Sequence, residues 1–161
     1  MNNGMDSVKF AVDRMLVKLG VYLRIIGCDT VWDLSLVTID MVRVAVREER
    51  VFLTRNTTIG SHTRMPEKWL YVADGIPVLQ FQSVVREFHL DTSSRRFTRC
   101  LICNSCVEPV DDRGLIEKCV PPLVRRYNKK ITRCPLCDKY YWHGMHVENS
   151  LQKLGINDKH P

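Results

Sequence analysis

The hydrophobic positions of the first half change period along the chain, and each change marks an element. The apolar run at 9–12 predicts a strand that leads into Asp13. Met15, Leu16, Leu19, Tyr22, Leu23 and Ile26 then recur at helical spacing, and Gly27 stands where a helix C-cap is expected. Residues 29–32 form a second strand candidate, 38–49 a second helix opening near Asp40, and 51–53 a third strand that ends in Thr54, Arg55 and Asn56. A fourth strand is expected at 69–73 and a closing helix at 78–88, after Pro77. This β-α-β-α-β alternation predicts an α/β unit: a parallel sheet with helices on both faces and functional groups collecting at the strands' carboxyl ends.

The second half reads differently. Residues 89–98 (HLDTSSRRFT) are polar and without a clear period, which suits a hinge. Beyond them come short β-prone pieces such as 139–142 and a tail from Val147 long enough for one short helix. The expected organisation is an α/β domain over 8–90, a hinge over 91–98, and a small β-rich unit with a C-terminal helix over 99–155.

Composition narrows the class. An apolar fraction of 45% with 26% charged residues is that of a folded globular chain, and no apolar run approaches the roughly 20 residues of a membrane span. Residues 1–7 lack the features of a secretion signal and read as a lead, so a reducing compartment is the expected setting. The net charge of +6 is uneven: residues 95–146 hold 11 Lys or Arg against 5 Asp or Glu, while the rest holds 13 of each. The excess sits in the second unit.

Six of the seven cysteines also lie there, between Cys100 and Cys137, which disfavours a disulfide framework and favours a metal. Two CxxC turns supply four thiolates to one tetrahedral Zn²⁺. Cys100, Cys103 and Cys106 form a CxxCxxC run in which either neighbouring pair is available. The residue after the second cysteine of such a turn needs a left-handed backbone, which Asn tolerates and a β-branched residue does not. Asn104 follows Cys103 whereas Val107 follows Cys106, so the expected ligands are Cys100, Cys103, Cys134 and Cys137. Asp138 passes the same test after Cys137. His143 and His146 are alternative fourth ligands, and Cys28, Cys106 and Cys119 are expected as small buried hydrophobes. Four protein thiolates leave no open coordination position, so the zinc is expected to be structural.

Two further groupings carry chemistry. Asp13, Asp33 and Asn56 each follow an expected strand, and Asp40 opens the second helix; one sheet edge would gather them into an acidic pocket for Mg²⁺ or Mn²⁺. Asp is equally ordinary at caps and turns, and an amide at Asn56 removes charge that hard cations require. Arg95, Arg96 and Arg99 precede the first cysteine pair, and Arg125, Arg126, Lys129, Lys130 and Arg133 the second. Such a face attracts phosphates with little regard for sequence. Tyr127, Tyr140, Tyr141, Trp142 and His143 lie among them, and an aromatic such as Tyr141 can stack on an unpaired base. Tyr141 and Trp142 serve equally as the packing centre of the unit.

The run FAVDRMLVKLGVYLRIIGCDT with VFLTRN, followed by RCLICN, CVPP and RCPLCDKYYWHGMH, resembles the Mut-seven C-terminal RNase domain family over 9–154. The resemblance implies a PIN-like nuclease fold followed by a zinc ribbon, with RNA as the partner. It places Asp13 on the family's first acidic position and Asn56 where an Asp normally ends the TRD motif. It implies attachment to a 3′-to-5′ exoribonuclease acting in RNA silencing, with silencing-complex proteins as partners and a cytoplasmic or perinuclear-granule location. Three functions remain open on the residues: an RNA-binding unit with an impaired acidic site, an active metal-dependent ribonuclease using Asp13, Asp33 and Asp40, and a protein-interaction unit.

Overall fold

Strand β1 (Phe10–Val12) is buried along its whole length because it lies inside a sheet covered on both sides. The computed structural model describes residues 8–128 and 130–156. A turn of 3-10 helix leads into α1 (Val17–Ile25), followed by β2 (Thr30–Val31), α2 (Thr38–Arg47), β3 (Val51–Thr54), β4 (Trp69–Tyr71) and α3 (Pro77–Glu87). The four strands are parallel in the order β2-β1-β3-β4.

Side-chain alternation divides this sheet into two faces. Phe10, Val12, Val51 and Leu53 join Leu19 and Leu23 of α1 and Phe81 and Val84 of α3 in one core. Ala11 and Phe52 point the other way, into a smaller core with Met41, Val42 and Ala45 of α2. The strand period of two therefore puts helices on both faces, as the sequence pattern predicts.

The second unit has three short strands and three helices. β5 (Glu108–Pro109), β6 (Ile131–Arg133) and β7 (Tyr140–Trp142) form an antiparallel sheet in that order. Between β5 and β6 lie α4 (Arg113–Cys119) and α5 (Pro122–Tyr127), where the sequence pattern suggests only short β-prone pieces. Both helices follow local signals: the Asp112 carboxylate accepts from Leu115 N–H at 3.1 Å as an N-cap, and Pro122 opens α5. The chain closes with α6 (Met145–Lys153).

Leu151 of α6 and Leu154 just after it are buried in the same core as α1 and α3, so the C-terminal helix docks on the parallel-sheet unit. Residues 91–98 are tied down on the way. Phe97 N–H donates to Ile25 C=O at 2.9 Å, and a Cβ at Gly27 (φ 87°) would lie 2.2 Å from the Arg95 carbonyl oxygen. Gly27 thus caps α1 and also admits the backbone of the connecting segment.

Candidate metal centre and nucleic-acid interface

Cys100, Cys103, Cys134 and Cys137 bring their sulfurs within 4.8 Å of one another, with Cys100 to Cys137 at 3.5 Å and Cys103 to Cys134 at 3.3 Å. A tetrahedron with metal–sulfur bonds of about 2.3 Å has sulfur–sulfur edges of about 3.8 Å, so the donor set fits a zinc-like ion. The two turns are built alike. Cys100 N–H bonds Ser105 C=O at 2.8 Å and Cys134 N–H bonds Lys139 C=O at 2.8 Å, while Asn104 and Asp138 return N–H groups to Cys100 and Cys134 carbonyls at 3.0 Å. Asn104 (φ 70°) and Asp138 (φ 63°) hold the left-handed positions inferred from sequence.

Several bonds support the ligands. Cys103 N–H and Cys137 N–H each point to the preceding ligand's sulfur at 3.5 Å. The Tyr141 hydroxyl sits 3.0 Å from Cys100 Sγ and accepts from Leu101 N–H at 3.2 Å. Burial and the facing Cys100 sulfur push its pKa up, so it stays protonated and serves as a donor to a thiolate. His143 stands apart from the four sulfurs, with Nδ1 3.9 Å from a Glu148 oxygen. The side chain of His146 lies outside the described residues. Cys106 and Cys119 are exposed rather than buried, because both sit on short peripheral elements with no core above them; Cys28 is half-buried, and burial pushes its thiol up to about 11.

The first cysteine turn is fastened to the edge of the parallel sheet. Arg24, on α1, is buried; its Nε donates to Thr30 C=O at 2.8 Å and its Nη1 to the carbonyls of Leu101 and Ile102 at 2.9 Å each. Its guanidinium lies 3.5 Å from the Trp32 ring centroid. Gly20, one turn earlier, makes room for that ring: a Cβ there would be 2.8 Å from two of its atoms. Asn104 completes the clasp, accepting from Thr30 N–H at 3.1 Å and donating to Asp29 Oδ1 at 2.8 Å. Thr30 on edge strand β2 therefore has both backbone groups satisfied by the metal unit and α1. Burial pulls the Arg24 pKa down to about 10, against the raising effect of Cys100, Cys103 and Asp29, so it remains charged near neutrality.

Each acidic position has its own hydrogen-bond or ion-pair partner. Asp13, 1% exposed, accepts from Met15 N–H at 2.9 Å and from the Thr54 hydroxyl at 2.7 Å. Thr54 Oγ1 in turn accepts from Asn56 N–H at 2.9 Å, so Asp13 and Asn56 are joined at the carboxyl ends of β1 and β3. Asp33 accepts from Ser35 N–H at 2.8 Å in an exposed turn, and Asp40 pairs with Arg43 at 2.7 Å on the surface of α2. Among the described residues no group of three acidic or histidine side chains comes within ligand distance of one another.

The basic residues divide by their bonds. Arg99 is turned inward, donating to Asn104 C=O at 2.8 Å and lying 3.4 Å from Asp29, and Arg133 is paired with Asp138. Arg96 donates to Ser93 C=O at 3.2 Å. Arg95, Arg126 and Lys130 are exposed, and Lys129 lies outside the described residues. Arg125 and Arg126 line a groove of about 370 Å³ between α4 and α5 together with Arg113, a residue that the sequence pattern does not single out because nothing in it announces α4 as a helix face. Tyr127 stands beside it, 75% exposed, with Arg126 5.8 Å from its ring centroid.

Fold and site define a mixed α/β protein in which a parallel sheet is joined to a small antiparallel sheet and a four-cysteine cluster suited to a metal ion. The chain belongs to the Mut7-C RNAse domain family, which matches residues 8–154. No curated protein and no solved structure matches it. Family membership makes the role nuclease-related and directed to RNA.

Proposed function

We propose that this chain is the RNA-binding part of a 3′-to-5′ exoribonuclease, holding single-stranded RNA with little sequence preference and cleaving little by itself. The observation that carries this reading is the family match combined with an acidic edge whose carboxylates each already have a partner, Asp13 in Thr54, Asp33 in Ser35 and Asp40 in Arg43. A PIN-like ancestry with Asn56 in the last acidic position accounts for that edge. The thiolate centre holds Zn²⁺ structurally, and the exposed cations of the α4–α5 groove bind phosphates. Action in RNA silencing, alongside silencing-complex proteins and in cytoplasmic or perinuclear granules, is supported by the family resemblance.

One assay separates the readings: binding and cleavage of labelled single-stranded RNA with Mn²⁺ or Mg²⁺, for this chain and for Asn56→Asp. Tight binding without cleavage is expected for the natural chain. Cleavage that disappears in Asp13→Ala would establish an active nuclease instead, and absence of binding at low salt would remove both readings in favour of a protein-interaction unit. Arg125→Ala with Arg126→Ala should weaken binding and flatten the dependence of log affinity on log salt by about 0.7 for each phosphate that these side chains neutralise. An unchanged slope would clear the groove of that role.

A further inference from the structure

The two edges of the parallel sheet are treated differently. The β2 edge is closed by Arg24 and Asn104, whereas β4, at the other edge, presents Trp69 at 46% and Tyr71 at 40% exposure. Register explains why both face the same way. Trp69 pairs with Phe52 and Tyr71 with Thr54, and Phe52 points into the core beneath α2. Leu70 and Val72 point to the opposite face and pack in the α1–α3 core. Helix α2 covers β1 and β3, which leaves the same face of β4 open with two aromatic rings one strand repeat apart.

From this juxtaposition we propose that Trp69 and Tyr71 form a stacking platform for two consecutive bases of single-stranded RNA. The inference rests on the RNA-binding reading and gives it a second site, far in sequence from the basic groove. Charge favours a nucleic acid as occupant: Arg55 adjoins Asn56, and its buried Nε has no hydrogen-bond partner. Arg64 and Lys68 are exposed but line a separate pocket with Glu49 and Glu67. The rings also form a wall of a cavity of about 210 Å³ whose far side includes Asn56 and Ser61. Asn56 Oδ1 is committed to Thr58 N–H and hydroxyl at 2.9 Å each, leaving the Nδ2 hydrogens as donors toward a base edge. A strand stacked on β4 therefore runs past the Asp13–Thr54–Asn56 chain of hydrogen bonds. The amide that weakens hard-cation binding becomes a base-binding group there.

The test uses a fluorescent single-stranded oligouridylate and the whole chain. Trp69→Ala with Tyr71→Ala should weaken binding about tenfold or more, since each ring removed takes away a sequence-tolerant stack, while Trp69→Phe retains most of the affinity. The salt slope should stay as in the natural chain, because stacking releases no counterions. Independently of any variant, ultraviolet cross-linking of a 5-iodouridine oligomer should mark the peptide containing Trp69 and Tyr71. Unchanged affinity in the double variant, or cross-links confined to 95–142, would overturn the platform and leave RNA binding itself standing; a partner protein as occupant gives this same result. Failure of the natural chain to bind any RNA at low salt would end the underlying reading as well.

Discussion

Cys134→Ser should cost the second unit its fold, and with it the tight docking of α6. The sequence from 99 to 142 has little apolar interior: Cys100, Val120, Ile131 and Cys134 are its buried hydrophobic residues among those described. A unit of that size rarely supplies enough burial to offset chain entropy, and a thiolate-bound zinc provides about 10–16 kcal/mol of apparent binding free energy that appears only with folding. Serine cannot replace the thiolate, so metal affinity and unit stability fall together. One zinc per chain is expected from a chromogenic assay after thiol modification, and a large loss in the variant. Far-ultraviolet circular dichroism should show reduced structure in Cys134→Ser and in the chelated natural chain. A chelated protein with an unchanged spectrum and unchanged RNA affinity would show that the metal is not the scaffold.

Arg24→Met is expected to destabilise the whole molecule by about 3 kcal/mol or more. Methionine fills part of the space and keeps helix propensity, but it leaves the buried Thr30 carbonyl and the part-buried Leu101 and Ile102 carbonyls without their donor. It also removes a buried positive charge that Cys100, Cys103 and Asp29 stabilise. Arg24→Lys should recover little, because an ammonium cannot fork to separated carbonyls while lying flat on Trp32. The measurement is the urea midpoint, followed by the rate at which a chelator removes metal. Against a typical domain stability of about 5–15 kcal/mol the shift is easily seen. A midpoint equal to that of the natural chain, with no faster metal loss, would mean that the cysteine turn is held by its own bonds and not by α1.

These expectations show where function sits in this fold. The metal unit is not a pendant: its Asn104 satisfies a backbone N–H of an edge strand, and Leu151 of its C-terminal helix with the following Leu154 joins the main core. Metal loss from the four-cysteine cluster should therefore be felt by the parallel sheet, and damage at α1 should be felt at the cysteine turns.

Some of this is legible in the chain alone because the physics is local. Strand and helix periods, the C-cap at Gly27, and the left-handed demands at Asn104 and Asp138 are set by neighbouring residues, and the structure holds all of them. Helices α4 and α5 escape the sequence pattern because they are short and bury no residue, so they lack an apolar period, although Asp112 and Pro122 signal their starts. Tertiary structure alone decided the rest. It gave Asp13 to the Thr54 hydroxyl across the sheet, turned Arg99 inward to Asp29, gave the Tyr141 hydroxyl to Cys100, and buried Arg24 between Trp32 and a turn 77 residues away. Sequence spacing states which donors and charges exist and which turns they can make. Where a charge ends up depends on the carbonyls, rings and opposite charges that distant segments bring to it, and those appear only once the sheet edge and the cysteine turn have met.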